Sequence, residues 1–375
     1  MKSRILMGML FMFFVDFLFA GEIFDFDSGK SNLDLSNYLD VKTPSITKEE
    51  PVCQKQLYKI NENREIIEVK PSKSYLDEKG NRVNEHYFFP QEKVMWAIRC
   101  KNTSGQLWTA KETYGHAYGS GGHYHFDPPA PPLLITNPRT DSTIPSDSSF
   151  LSKPSPVNFP QMMPNTTYYY WEKMPEFSTL ITEYFEWLGG CSGSQTDYLY
   201  VAVPGLIQLS TGTNYTLWGE TENHPYNHFG TKKLINTIIE IANEYKSYFP
   251  NSKAIYINDM SLPWGGLFDI NSDWKTPHTL HRCGNQVDVR KIMIPEENRR
   301  KFIEIICKKT GFLLSEGDEP TEVPHYHISI DRTEDEGTTN RYYCIPPKKY
   351  IERKVQCCNP DGTLNLNNLE KCIKI

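Results

Sequence analysis

The chain has no excess of basic residues: 40 Lys and Arg stand against 46 Asp and Glu, a formal net charge of −6. That leaves no basic face for a nucleic-acid partner. No CxxC pair occurs among its nine cysteines, which excludes a cysteine-built zinc finger. The stretch "GGCSGSQTD" sets serines beside glycines, yet the G-x-S-x-G elbow of serine hydrolases is missing. The H-E-x-x-H protease helix is missing too: "HPYNH" has Pro225 where the glutamate belongs, and proline disfavours helix in the residue before it. No internal repeat is evident. The apolar run Ile5 to Val15 falls short of the roughly 20 residues that a bilayer-crossing helix needs. With Lys2 and Arg4 before it and Ala20 after it, it reads as a secretory signal over residues 1–20, leaving no membrane span after cleavage. No cysteine follows it to carry a lipid anchor.

The cysteines present fit an oxidising compartment, so a secreted or periplasmic protein is expected. Their odd number leaves at least one unpaired or intermolecular, and the five that follow Cys283 predict a stapled C-terminal part of unspecified connectivity. Twenty-two tyrosines and 26 prolines favour β-rich, loop-rich architecture. Residues 21–90 read as a mixed, polar, partly ordered N-terminal region, with His86 solvated. Residues 91–219 read as a β-rich module resembling an immunoglobulin-like sandwich, whose strand-like runs include "STLITEYFEWL", "DYLYVAVPGLIQL" and "TNYTLWG". The stretch 128–164 carries ten prolines and can be neither helix nor central strand. In "GTKKLINTIIEIANEYKSYF" the apolar residues Leu234, Ile235, Ile238, Ile239, Ile241 and Ala242 recur at the helical period, with Thr231 placed to cap. "KAIYIND" predicts a strand, and "PEENRRKFIEIICKKTGF" a second helix that starts near Pro295. An α+β domain over 220–340 and a cysteine-containing tail over 341–375 complete the expected organisation.

The chemistry concentrates in "PHTLHRCGNQVDV" and "EVPHYHISI". In a strand, residues two apart share a face, so His325, His327 and Ser329 point one way and Tyr326, Ile328 and Ile330 the other. Two imidazoles side by side are costly to bury without a purpose, and a divalent metal supplies one. A catalytic zinc takes three protein ligands and keeps a fourth position for water or substrate. His281 and Asp288 can be two of them and either His325 or His327 the third. Glu322, just before the strand, is then the natural general base. Either motif alone arises by chance; their conjunction in order is the stronger signal.

"SLPWGGLFDINSDW", "PHTLHRCGNQVDV" and "EVPHYHI" together resemble the penicillin-insensitive murein endopeptidases. These belong with D-Ala-D-Ala carboxypeptidases, some phage endolysins and the hedgehog signalling domain in the LAS superfamily, which pairs H-x6-D with HxH. The resemblance covers roughly residues 224–330. It implies a LAS/hedgehog-type α+β zinc peptidase domain, with His281, Asp288 and His327 holding Zn²⁺. It further implies Glu322 as base, His325 stabilising the transition state, and a substrate of peptidoglycan stem peptides or cross-links. His278 matches a histidine three residues before the first ligand. Cys283 and Asn285 depart from the family's pattern. The hedgehog branch shows that such a site also serves proteins without peptidase work, so a secreted zinc-bearing binding or adhesion protein is the rival expectation.

Three further stretches invite weighing. "YGHAYGSGGHYHFD" gathers His116, His123 and His125 as a candidate second metal set or as a plain turn-rich hairpin. "ENHPYNHFGT" places His224 and His228 in a loop before a helix, where they are candidates for contacting substrate along with His278. In "LPWGGLFDI", Trp264 is either a cleft wall beside the Gly265–Gly266 turn or simple packing, and Asp269 and Asp273 read as turn formers.

Overall fold

Period-two burial along residues 179–201 builds the middle of the first half of the fold. The computed structural model describes residues 53–61, 63–275, 280–317, 323–330, 344 and 354–374. The expected leader over 1–20 lies outside these residues, as do His278 and Glu322.

Two six-stranded sheets face each other. In the first, the order is β2 (Ile66–Glu68), β1 (Cys53–Ile60), β5 (Lys93–Cys100), β10 (Thr167–Lys173), β7 (Leu133–Ile135) and β8 (Leu151–Lys153). In the second it is β3 (Lys73–Leu76), β4 (Arg82–Phe88), β12 (Gly193–Val201), β11 (Thr179–Gly189), β6 (Trp108–His116) and β9 (Val157–Asn158). All pairings are antiparallel except β4 with β12. Trp96 and Tyr170 from one sheet and Phe185 and Leu199 from the other share one core. The proline-rich stretch contributes the short β7, β8 and β9; β8 and β9 lie at sheet edges, where a missing donor costs least, while β7, which holds no proline, is paired on both sides.

Pairing begins at Cys53, well before residue 91, since β1 pairs with β5 and β4 with β12. The early strands look polar in sequence because their inward side chains include Lys55, Asn84 and His86, all buried. His86 is thus not solvated; its Nε2 lies 3.7 Å from the Asp197 carboxylate.

The second half has its own core. A third six-stranded sheet runs β14 (Tyr215–Leu217), β16 (Ile255–Ile257), β17 (Gln286–Arg290), β19 (His325–Ser329), β18 (Leu313–Glu316) and β20 (Val355–Gln356). Tyr215–Leu217, expected in the sandwich, therefore belongs here, parallel to β16. A two-stranded ribbon joins β13 (Ile207–Gln208) to β15 (Phe229–Gly230). Helix α1 (Lys232–Tyr248) starts at Thr231, whose side chain accepts the Leu234 N–H, and α2 (Glu296–Thr310) ends on left-handed Gly311. A short α3 (Leu369–Ile373) follows near the C-terminus. Ile238, Phe302 and Ile306 of the two longer helices pack on Val287, Val289, Tyr326 and Ile328, covering one face of the third sheet. Each such fully buried side chain contributes roughly 1.5–3 kcal/mol.

Four disulfides form: Cys100–Cys191 in the sandwich, and Cys283–Cys344, Cys307–Cys358 and Cys357–Cys372 in the C-terminal half. Cys53 is the free cysteine. No helix among the described residues is long and apolar enough to cross a membrane. The architecture is β-rich with few helices, and the described residues form one compact unit.

Candidate metal centres

Antiparallel register brings the first set together. On β17 and β19, Asp288 lies directly opposite His327, and Arg290 opposite His325. Val287, Val289, Tyr326 and Ile328 are drawn into the helix-covered core, so alternation turns Asp288, His325 and His327 to the other face. His281 arrives from the loop before β17 in the left-handed region (φ 68°), a conformation that costs a histidine about 1–3 kcal/mol. Its amide N–H donates to Gln286 Oε1 at 2.7 Å, which holds it there.

The Asp288 carboxylate is the hub. Its Oδ1 is 2.8 Å from His327 Nδ1, and its Oδ2 is 3.2 Å from His281 Nε2 and 3.5 Å from His325 Nε2. His281, Asp288 and His327 are all buried and offer donor atoms that lie within 4.8 Å of one another. Burial by itself would push the Asp288 carboxyl up; the imidazoles of His281 and His325 outweigh it and hold the group well below the usual carboxylate range. Burial likewise opposes charge on His281, and Asp288 reverses the direction, raising it. Nearby Asp259 is pushed up to about 6 by burial and then by the charge of Asp288.

These residues fit a metal ion. Donors held about 2.0–2.1 Å from a tetrahedral zinc lie about 3.3 Å apart, close to the His281–Asp288 spacing. His327 Nε2 is buried and makes no hydrogen bond, so Nδ1 carries whatever polar contact this ring has on the cluster side. Two nitrogens and one oxygen make a three-ligand set, which leaves a position open. His325 stands beside the set, less buried, its Nδ1 donating to the Val323 carbonyl at 2.8 Å and its Nε2 3.8 Å from Glu316.

A second set assembles from three loops. His123 and His125 follow β6, His224 lies between β14 and β15, and Asp269 follows Phe268. Asp269 is the hub: Oδ1 lies 3.0 Å from His123 Nδ1 and 3.1 Å from His224 Nε2, and Oδ2 lies 3.3 Å from His125 Nε2. Burial would raise the Asp269 carboxyl, but contacts from His123 and His224 hold it far below its ordinary value. Burial lowers His123, favouring its neutral form.

His116 is not in this set. It ends β6 against Phe177, ring centroids 5.4 Å apart, and burial pushes its imidazole down to about 4. His224 belongs with Asp269, and its ring packs 5.2 Å from Phe268. His228 is buried apart from both sets, its Nε2 donating to the Trp218 carbonyl at 3.0 Å. Trp264 packs toward Tyr200 of the sandwich, and its carbonyl accepts from Val203 N–H and Ser178 Oγ at 2.8 Å each. Its neighbours Gly265 and Gly266 are obligatory: a Cβ there would sit 2.6 Å from the Arg282 carbonyl oxygen and 2.5 Å from Ser178 Oγ. Asp269, read as a turn former, does accept the Trp274 N–H at 2.8 Å, yet its other contacts are histidines. No short stretch of sequence marked it, because His224 lies about a hundred residues from His123 and His125 and only the fold brings their loops together around Asp269. A third group, Cys53 with Cys100 and Cys191, has two sulfurs in a disulfide and is not a thiolate set.

No family model and no curated protein matches the chain. Among solved structures it is similar to a family 123 glycoside hydrolase from Clostridium perfringens, at 10% identity over 52% of this chain and a TM-score of 0.21. That match spans only 32% of the hydrolase. It is also similar to a DUF4466 family protein from Parabacteroides merdae, at 10% identity over 66% of this chain and 68% of that one, TM-score 0.21. Similarity at this level carries no argument about fold or activity.

Proposed function

We propose that the chain is an exported zinc-dependent peptidase of LAS type, acting on peptidoglycan stem peptides or cross-links. The single observation that carries this reading is the convergence of His281, Asp288 and His327, all buried, with donor atoms within 4.8 Å. The order and spacing of these residues support it, as does His325 standing 3.5 Å from Asp288 without joining the set. The four disulfides fit an oxidising compartment.

Zinc held by these residues supplies a Lewis acid for the amide carbonyl and lowers the pKa of water toward about 7. The chain's own groups do the rest. Asp288 and His327 fix the site's position on paired strands, which hold a side chain more rigidly than loops do, and His281 reaches it from the loop before β17. Glu322 accepts a proton from the attacking water and returns it to the leaving amine. His325 donates to the oxygen on which charge develops.

The test uses purified full-length protein, purified peptidoglycan and mass analysis of the soluble fragments. His281→Ala is expected to lose both one equivalent of zinc and hydrolysis. Glu322→Gln is expected to keep its zinc and lose at least about 100-fold in rate. Unchanged hydrolysis in Glu322→Gln sinks the mechanism. Metal without any muropeptide change leaves the non-catalytic binding protein as the better reading.

A further inference from the structure

Three imidazoles around one buried carboxylate are hard to satisfy by hydrogen bonding alone. Both ring nitrogens of His123, both of His125 and Nδ1 of His224 are buried with no aligned hydrogen-bond partner. Their ring centroids are nonetheless 5.5–5.8 Å apart, at steep mutual angles, around the Asp269 oxygens. The approaches of 3.0, 3.1 and 3.3 Å lie at or just below the spacing of about 3.3 Å between donors on one tetrahedral zinc. We propose that His123, His125, His224 and Asp269 form a second divalent-metal centre, closed by four protein ligands and structural in kind. Three imidazoles and one carboxylate select a borderline ion such as Zn²⁺ over Ca²⁺ or Mg²⁺, which prefer all-oxygen sites.

The surroundings suit such a centre. Trp274 donates its backbone N–H to Asp269 Oδ2, and its ring lies 4.3 Å from that of His125 and 5.1 Å from that of His123, shielding the set. The Trp274 indole N–H is itself anchored on the Pro128 carbonyl at 2.7 Å. A cavity of about 220 Å³, lined in part by His123, His125 and Trp274, adjoins the ligands and offers the ion a path in. The tyrosine between the two loop histidines, Tyr124, donates its N–H to the Asn223 carbonyl, next to His224, at 2.9 Å.

The centre's role follows from what it joins. His123 and His125 come from the loop that follows sandwich strand β6, whereas His224 and Asp269 come from the other half of the chain. One ion therefore joins segments about a hundred and more residues apart in sequence, and because it binds the folded chain and not the unfolded one, its binding energy stabilises the fold.

Metal-stripped full-length protein titrated with Zn²⁺ tests this independently of the peptidase reading. The wild type is expected to bind two equivalents, His281→Ala one, Asp269→Ala one, and the double variant none. The thermal midpoint of His281→Ala should still rise on adding Zn²⁺. Zinc uptake by Asp269→Ala equal to wild type overturns the second centre, as does a His281→Ala protein that binds none. The latter result stands even where Asp269→Ala does not fold. One equivalent in wild type, lost in His281→Ala, overturns this centre and spares the proposed function; one equivalent lost only in Asp269→Ala does the reverse.

Discussion

At the scale of single residues, environment decides which groups react. Cys53 lies opposite Cys100 in the β1–β5 ladder, and the other eight cysteines are paired. Burial pushes the Cys53 thiol up to about 11, against a weaker pull from the Ser192 carbonyl contact. At pH 8 its thiolate fraction is then on the order of one in a thousand, far below that of a free thiol near 8.5. Native protein should take up iodoacetamide slowly at pH 8, to one equivalent, and rapidly once denatured without reductant. Labelling of the native thiol at the free-cysteine rate contradicts this. The histidines teach the same lesson. His325 and His327 are two apart in sequence, yet one stands at the edge of a carboxylate hub and the other inside it. Alternation along a strand was readable for both; the difference in depth was not.

At the scale of elements, legibility tracked how purely local the deciding forces are. The period of apolar residues and Thr231 marked α1 almost to the residue, because capping and an amphipathic stripe are short-range. Replacing Thr231 with Ala should cost about 1 kcal/mol, seen as a lower urea midpoint at unchanged m, while Thr231→Ser retains most of the cap. A midpoint unmoved in Thr231→Ala means the cap contributes nothing. Strand β19 was equally plain, since Tyr326 and Ile328 are buried in the core between outward histidines. Strands β1 and β4 were not, because pattern reading treats Lys55, Asn84 and His86 as solvent-facing. Partners distant in sequence make burial tolerable: carboxylates across the sandwich for Lys55, and Asp197 on the neighbouring strand β12 for Asn84 and His86.

At the scale of the whole molecule, those partners form a buried polar network that ties the two sheets of the sandwich. Lys55 Nζ meets Glu112 at 2.8 Å and Glu183 and Asp197 at 3.0 Å, and it lies 3.8 Å from the centre of the Trp96 ring. Trp96 in turn donates its indole N–H to Glu172 at 3.0 Å. One ammonium among several carboxylates cannot neutralise them all. Burial, reinforced by the charge of Glu112, pushes Glu172 up to about 7, from an ordinary value of 4.5. The folded protein therefore keeps a proton there that the unfolded chain releases. The sign is that of a raised group: its stabilisation is full below about 4.5 and drains as pH rises through about 7. Glu172→Gln should flatten this part of the stability profile, so that the difference from wild type grows between pH 5 and pH 7.5 in favour of the variant. Parallel profiles for the two proteins argue against a proton held at Glu172.

The order of amino acids by itself determined the longer helices, the alternation of β19, the loop character of the proline-rich stretch and the candidacy of His281 and Asp288 with one of His325 and His327. Each depends on spacing along the chain or on residue chemistry alone. Only the tertiary structure decided that pairing begins at Cys53, that Asp269 rather than His116 completes a group with His123 and His125, and that His224 joins them while His228 stands apart. Those outcomes turn on which distant segments become neighbours. Neighbourhood is set by how two separate cores close against each other, a property that no short window of sequence contains.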